Sequence, residues 1–395
     1  MNTGWALVVA GAAIIVYPYL LYPVLLKGLA WFRRPTRQPA PPAVWPKVSI
    51  TIPVYNEENQ IRQKLEWVSQ WDYPKDRLQV IVVSDASTDR TDEIVKEHAA
   101  QGIELLRLPR RGGKTAAENA TLPHLRGEIV VNSDAAIRVP PPSLKKLVVW
   151  FSDPSVGVAS GRDRSVANLD GEANQGESGY VDYEMWIRAL ETQVAGIVGA
   201  SGCFYAIRKQ LHQHLVPEAL SRDFAAPLIA RRHGYRSVSV DDAVAYVPRT
   251  KSLRAEYRRK VRTMTRGLET LFYQRALLNP FRFGLFAWEL WTHKLVRWLL
   301  PVGDLLILLG LLLLAPSDPW ARAIVAASAL VAAAGAIGWW WPAGKPPRLF
   351  AMAAYLVSGN VAALHAWVGA LRGDLNPIWE PTRRPVLEQT PAKGA

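Results

Sequence analysis

The sequence predicts an α/β fold: a mostly parallel sheet with helices on both faces, joined to transmembrane and interfacial helices. Three observations carry this. β-rich and helical signals alternate from Val48 to Asp134, polar loops follow the predicted strands, and four long apolar segments stand at the two ends of the chain.

Gly4 to Leu26 carries no charge and approaches the roughly 20 residues that cross a hydrocarbon core. It has no basic n-region, and Tyr17-Pro18-Tyr19 and Tyr22-Pro23 stand where a cleavage site needs small residues, so 1–30 reads as a retained anchor. Arg33, Arg34, Arg37 and Lys47 follow. Basic residues beside a span stay in the cytoplasm, which puts the N-terminus outside and the next domain inside. Residues 31–47 form a proline-rich, extended linker.

The domain expected over 48–280 opens with the strand "VSITIPV". "ENQIRQKLEWVSQW" then places Ile61, Leu65 and Val68 on one helical face. "LQVIVV" is a second strand, ending at Ser84-Asp85. "TDRTDEIVKEHAA" has acids in its first turn, as a helix start should. "IELLRL" is a third strand, "GGKTAAENATL" opens a helix, and "EIVVNSD" is a fourth strand. This βαβαβ order predicts the parallel sheet. Ligands of such sheets bind beyond the carboxyl ends of the strands. "PVYNEE", "SDASTD" and "SDAA" lie there, and together they point to a nucleotide-type ligand.

Residues 281–297 mix Phe281, Phe283, Phe286, Trp288 and Trp291 with Arg282, His293, Lys294 and Arg297, the pattern of a helix lying in the membrane interface. Over 298–372, Trp298–Ala315 carries only Asp304, and Ala323–Trp341 and Leu349–Leu371 carry no charge. Leu349–Leu371 contains Ser358, Asn360 and His365 and reads as interfacial or broken. Three full spans would return the tail 373–395, with "WEPTRR", to the cytoplasm; four would leave it outside.

The 395 residues carry a net charge of +13, and mean hydropathy is +0.01. The charge suits an anionic membrane surface or phosphate-bearing substrates. No nucleic-acid-binding motif accompanies it, so nucleic acid is not an expected partner. The lone Cys203 excludes an intramolecular disulfide and any multi-cysteine metal site. His124, His212, His214 and His233 show no metal-ligand spacing and read as structural or exposed.

"ITIPVYNEE", "VVSDASTDRT", "RRGGKTAAENA", "VVNSDAA", "GASGCFYAIRKQL", "SRDFAAPLIARRHGYR" and "RRKVRTMTRG" follow in order between Lys47 and Gly267. This series resembles the membrane-bound family 2 glycosyltransferases, which include cellulose synthase-like enzymes and exopolysaccharide transferases. The resemblance implies a GT-A domain with a Rossmann-like sheet, a nucleoside diphosphate sugar donor (most often a UDP-sugar), and inverting displacement at the anomeric carbon. It implies a glycan or lipid-linked acceptor, the lipid bilayer and polysaccharide-export proteins as partners. It also implies a multi-pass protein of the bacterial inner (plasma) membrane with its catalytic domain in the cytoplasm.

Such a transfer needs a base on the acceptor hydroxyl, positive charge on the leaving diphosphate and a pocket that orients the donor. The resemblance assigns Asp85 to the uracil; a helix N-cap is the plainer role, which Asp89 fills better. It puts Pro53, Tyr55 and Glu57 around base and ribose, with Glu58 exposed. Lys114 follows Gly112-Gly113, a pair that lets backbone approach an anion, and Lys114 and Asn119 would sit on the nucleotide. Asp134 matches the first acid of the family's D-x-D. The second acid, the usual metal ligand, is Ala136 here. A divalent cation, Mg2+ or Mn2+, is expected at Asp134 through the donor's phosphates and waters, with cationic side chains as the alternative. Asp223 matches the catalytic base. Arg222 precedes it; turned toward Asp223 it would lower that pKa, and turned away it would not.

Arg259 and Arg262 share one helix face and match the two basic positions of the family's Q/R-x-x-R-W. Arg262 would hold the leaving diphosphate, with Arg259 on the donor side. The family's Trp is Thr263, which argues against processive polymerisation. Glu184, Glu191, Gly202 and Cys203 would line the acceptor cleft, while Trp186 and Leu190 read as helix core. The function expected is hexosyl transfer in envelope or exopolysaccharide synthesis. A processive synthase with its own channel is one alternative, supported by the spans. A catalytically inactive donor-binding subunit is another, motivated by Ala136 and Arg222 and opposed by Asp85, Lys114, Asp223 and Arg262.

Overall fold

The computed structural model describes residues 2–166, 175–248, 253–342 and 346–373. They form two compact units, 30–248 and 2–29 with 253–373. The helix Leu253–Tyr273, expected inside the 48–280 domain, groups with the second unit. The tail with "WEPTRR" lies outside the described residues.

The first unit is built on one seven-stranded sheet, ordered β3-β2-β1-β4-β6-β5-β7. The strands are β1 (Val48–Val54), β2 (Leu78–Ser84), β3 (Ile103–Arg107), β4 (Ile129–Ser133), β5 (Val156–Val166), β6 (Phe204–Arg208) and β7 (Arg236–Pro248). β3, β2, β1 and β4 are parallel, connected by the helices Ile61–Ser69, Thr91–Glu97 and Lys114–Ala120. β6 runs antiparallel to β4 and β5, and β5 parallel to β7. Every residue of β1 is buried, as a strand covered on both faces must be. Side chains alternate across the sheet: Ile129 and Val131 of β4 enter the core on one face with Ile61, Leu65 and Val68. Val130 enters the core on the other, with Ala117, Tyr205 and Ile229. From β1 the chain steps outward to β2 and β3, then returns to β4 on the far side of β1. That reversal opens a crevice beyond the carboxyl ends of β1 and β4.

In the second unit, Thr3–Trp31, Pro319–Trp339 and Arg348–Arg372 are each long and apolar enough to cross a membrane. The first continues through Tyr17-Pro18 by widening into a π turn at Tyr17–Leu21. Arg348–Arg372 is unbroken over 25 residues, so of the two readings of Leu349–Leu371, interfacial or broken, the broken one is corrected. Its Ser358 hydroxyl donates to the Tyr355 carbonyl at 3.1 Å, so that polar group is satisfied within the helix. The break falls earlier. Leu285–Val296 and Leu300–Leu314 meet at 61°, where Pro301 in the first turn cannot extend the preceding ladder. The segment expected as one interfacial helix is itself divided, into Pro280–Phe283 and Leu285–Leu290, at Gly284 (φ 55°).

Thr3–Val16 packs on Leu300–Leu314 through glycines. A Cβ on Gly11 would lie 2.4 Å from the Gly303 carbonyl oxygen, and one on Gly310 2.5 Å from that of Gly4. Small residues let helix backbones approach where no hydrophobic drive separates protein from lipid. Gly11→Ala and Gly310→Ala should each lower stability by about 1–3 kcal/mol, read as a lower thermal unfolding midpoint in detergent. Gly28→Ala, with no atom within 4 Å of its added carbon, should leave the midpoint unchanged or raised.

Candidate functional site

The loops after β1 and β2 are laced together at the crevice. The Asn56 amide donates to Ser87 Oγ at 3.1 Å, and its side-chain oxygen accepts the Thr88 amide at 2.8 Å. The Glu57 amide donates to Thr91 Oγ1 at 2.8 Å, and the Glu58 and Arg90 amides donate to Asp89 and to the Glu58 carboxylate. Glu58 is therefore tied into the loop rather than simply exposed. Asp89 accepts the Thr91 amide at 3.0 Å, but the N-cap position of the helix Thr91–Glu97 belongs to Arg90, so the capping role expected of Asp89 is displaced by one residue. Pro53 is buried in β1, paired with Val83. Tyr55 lies under the Arg111 guanidinium, 3.6 Å from the ring centroid. Arg111 was not among the expected residues.

Asp85 is buried at the end of β2. Its two carboxylate oxygens accept the amides of Gly112 and Gly113, at 2.7 and 3.0 Å. The anion that this glycine pair approaches is thus Asp85 itself, and Gly113, at φ 87°, takes a left-handed turn open to glycine. This fixes the start of the Lys114–Ala120 helix.

Lys114 Nζ then reaches Asp134 Oδ1 at 2.5 Å and the Gly202 carbonyl at 2.7 Å. Burial alone would lower its pKa, but Asp134, Glu118 and Asp223 hold it above the ordinary lysine value. Asp134 follows β4, with its amide on the Cys203 carbonyl at 3.0 Å. Gly202 and Cys203, expected on the acceptor side, are therefore in contact with Lys114 and Asp134, expected on the donor side.

Asp223 lies in the first turn of the helix Arg222–Arg232 and accepts from Ser221 Oγ at 2.5 Å. Pro227, four residues on, has no amide hydrogen to give the Asp223 carbonyl, and that carbonyl accepts the Ala200 amide instead, at 3.3 Å. Gly202 gives Asp223 its space: an added Cβ would lie 2.9 Å from Asp223 Oδ2. Lys114, Gly202 and Asp223 thus form one contiguous group.

Arg222 faces away from Asp223, into a buried cluster. Its guanidinium donates to Asn119 Oδ1, to the His212 carbonyl at 2.9 Å and to His212 Nδ1 at 3.1 Å, and lies 3.9 Å from Glu118. Burial, then the Arg222 charge, holds His212 well below the usual histidine pKa, so its neutral ring accepts. Asn119 also donates to the Val216 carbonyl and Thr115 to that of Leu220, at 2.8 and 2.7 Å. Asn119, expected on the nucleotide, here joins the Lys114 helix to the segment that carries Asp223. Glu118 in this cluster is pushed up to about 7 from 4.5: burial is the main cause, opposed by Lys114 and Arg222, with Asp223 and Asp134 adding to it.

Behind the Asp134 turn stands Lys64, fully buried, its ammonium on Ser133 Oγ at 2.8 Å and the Ile137 carbonyl at 3.2 Å. Burial pushes it down to about 7 against the pull of Asp134 and Cys203. Its place at the fourth position of the apolar face Ile61–Leu65–Val68 was the available sequence signal. The residues present do not make a protein-held metal site. Asp134 is already paired to Lys114, Ala136 offers no oxygen, and no group of three or more His, Cys, Asp or Glu fit to hold a metal occurs among the described residues.

Glu184 pairs with Arg188 on the helix Gln175–Val194, at 3.5 Å. Trp186 departs from the expectation: it is exposed, not core, with its ring 5.9 Å from Tyr183, because the buried stripe of that helix runs through Glu184, Arg188 and Glu191, on the opposite side. Glu191 is buried. Arg259 and Arg262 belong to the helix Leu253–Tyr273 of the other unit, where Glu256 grips Arg259 at 2.7 and 2.9 Å.

Residues 49–215 match the family model described as glycosyl transferase family 2. A beta-monoglucosyldiacylglycerol synthase of Synechocystis sp. is 35% identical over 129 residues, 31% of this chain and 26% of that protein. An N-acetylglucosaminyltransferase of Bradyrhizobium diazoefficiens is 25% identical over 299 residues, 70% of this chain and 60% of that one. The chain thus spans less than two thirds of these relatives. A mannosyltransferase from Pyrobaculum calidifontis, solved in complex with GDP-Man and Mn2+, superposes with a TM-score of 0.71 at 24% identity, covering 93% of this chain and 98% of its own. The two share a fold.

Gly202→Ala should push the Asp223 carboxylate aside, lowering turnover at least tenfold with little change in thermal stability, since a single flexible side chain can yield. Glu118 sets a pH limb. Its folded carboxyl stays protonated up to about 7, whereas the unfolded one titrates near 4.5, so its stability contribution is complete below 4.5 and is lost as pH rises through 7. Thermal unfolding across that window should show stability falling with pH, and Glu118→Gln should flatten the fall.

Proposed function

We propose that this chain is a family 2 glycosyltransferase, the family whose model residues 49–215 match, and that it transfers a sugar from a nucleoside diphosphate sugar, a UDP-sugar, to a lipid-linked or growing glycan acceptor at a bacterial membrane. The observation that carries this reading is the continuity of Asp134, Lys114, Gly202 and Asp223 in one crevice. It sets an anion-binding ammonium beside a carboxylate suited to deprotonate a hydroxyl. In the proposed step the Asp223 carboxylate takes the proton of the acceptor hydroxyl. That oxygen bonds to the anomeric carbon from the face opposite the diphosphate, and the old carbon–oxygen bond breaks with its electron pair going to the diphosphate. The configuration inverts. Lys114 meets the developing charge, and Arg262 is assigned to the departing diphosphate on motif alone. The named product of the Synechocystis relative, a glucosyldiacylglycerol, supports a lipid acceptor. The three apolar helices support a membrane location, and Thr263 in place of an aromatic platform supports single additions over polymerisation.

The test uses the purified full-length chain with UDP-glucose, UDP-galactose, UDP-N-acetylglucosamine and GDP-mannose, and a bacterial lipid extract as acceptor, reading nucleotide release and product. One UDP-sugar should support lipid-dependent release. Asp223→Asn should lower turnover a thousandfold or more while UDP affinity stays within about threefold. Wild-type turnover in that variant would remove Asp223 as the base, and long chains formed without added lipid would replace single addition by polymerisation.

A further inference from the structure

We propose that this site holds the donor's diphosphate with side-chain cations, Lys114 foremost, and needs no divalent metal to bind it. The inference rests on the donor-binding reading above. A hard divalent cation demands several oxygen ligands, and the Asp134 turn supplies one carboxylate. Ala135, Ala136 and Ile137, which follow it, have no side-chain oxygen, and Ser133 Oγ is already bonded to the Lys64 ammonium. Asp134 is itself paired with the Lys114 ammonium, with Lys64 behind the turn. A dication placed there would be repelled by Lys114, whereas a diphosphate would be drawn to it.

The backbone offers no substitute. The amides of Gly112 and Gly113, the natural phosphate cradle before the helix, are held by Asp85. What remains beside Asp134 is the Lys114 ammonium. It has three N–H groups, of which two meet Asp134 and the Gly202 carbonyl, leaving one for a phosphate oxygen. Lys64 cannot reach a ligand, since it is fully buried. It acts as a positioning residue, joining both ends of the turn from beneath through Ser133 and Ile137. The two lysines divide what a metal bridging two acids would do: Lys64 fixes the turn, and Lys114 neutralises Asp134 and offers its remaining N–H to the leaving group.

Calorimetric titration of UDP and of GDP into the full-length chain in detergent tests this, once in EDTA and once in Mn2+. The preferred nucleotide should bind with the same affinity, within about threefold, in the two buffers. Lys114→Met should weaken binding in EDTA at least tenfold, with Lys114→Arg recovering part of it. Ala136→Asp should create metal sensitivity, with at least tenfold tighter binding in Mn2+ than in EDTA. A tenfold or greater loss of wild-type binding in EDTA would overturn the inference while leaving the donor reading intact, and it requires no variant. Absence of UDP and GDP binding in both buffers would remove the donor reading, and the inference with it.

Discussion

The constraint on which the site depends is the balance of buried charge around the short helix Lys114–Ala120. Lys114 and Glu118 project from it, one turn apart. Lys114 neutralises Asp134, and Glu118 faces Arg222. Each of these groups would be costly to bury alone, and each is acceptable because another stands beside it. The consequence is mechanical as well as electrostatic. The helix that carries Lys114 is bonded through Thr115 and Asn119, and through Arg222, to the segment that carries Asp223. Lys114 and Asp223, the residues proposed for donor and base, are thus held by one bonded assembly, which is what a reaction with a narrow geometric tolerance requires.

The sheet makes this assembly possible. The reversal of strand order beside β1 places the ends of β1 and β4 around a common crevice, and the antiparallel β6 brings Gly202 and Cys203 back beside Asp134. Polar loops at strand ends are ordinary. Here the lacing of Asn56, Ser87, Thr88 and Asp89 turns two of them into a single wall, and Asp85 fixes the glycine pair that follows β3.

Much of this was legible in order along the chain. The alternation of β-rich and helical signals gave the parallel half of the sheet because period and turn chemistry are local properties. Lys114, Asp134 and Asp223 stood out because each sits in a motif at a strand or helix end. Glu118, Arg222's direction, Arg111 and Lys64 did not stand out. A glutamate inside a helix and a lysine on an amphipathic segment read as exposed by default, and only the packing of a neighbouring element reveals that they are buried. Trp186 erred the opposite way, since helix faces one residue apart point in different directions.

The sequence by itself determined the α/β class, the apolar helices and the residue types available for chemistry, since these follow from local periodicity, hydropathy and spacing. It also determined that Ala136 cannot ligate a metal. Only the tertiary structure decided what each polar group bonds to. It put the Asp85 carboxylate on backbone amides, turned Arg222 inward to Glu118, set Lys64 under the Asp134 turn and let Gly202 make room for Asp223. Those outcomes depend on contacts between residues from about 10 to over 100 positions apart, and the energy of a buried charge is set by such neighbours, not by its own place in the chain.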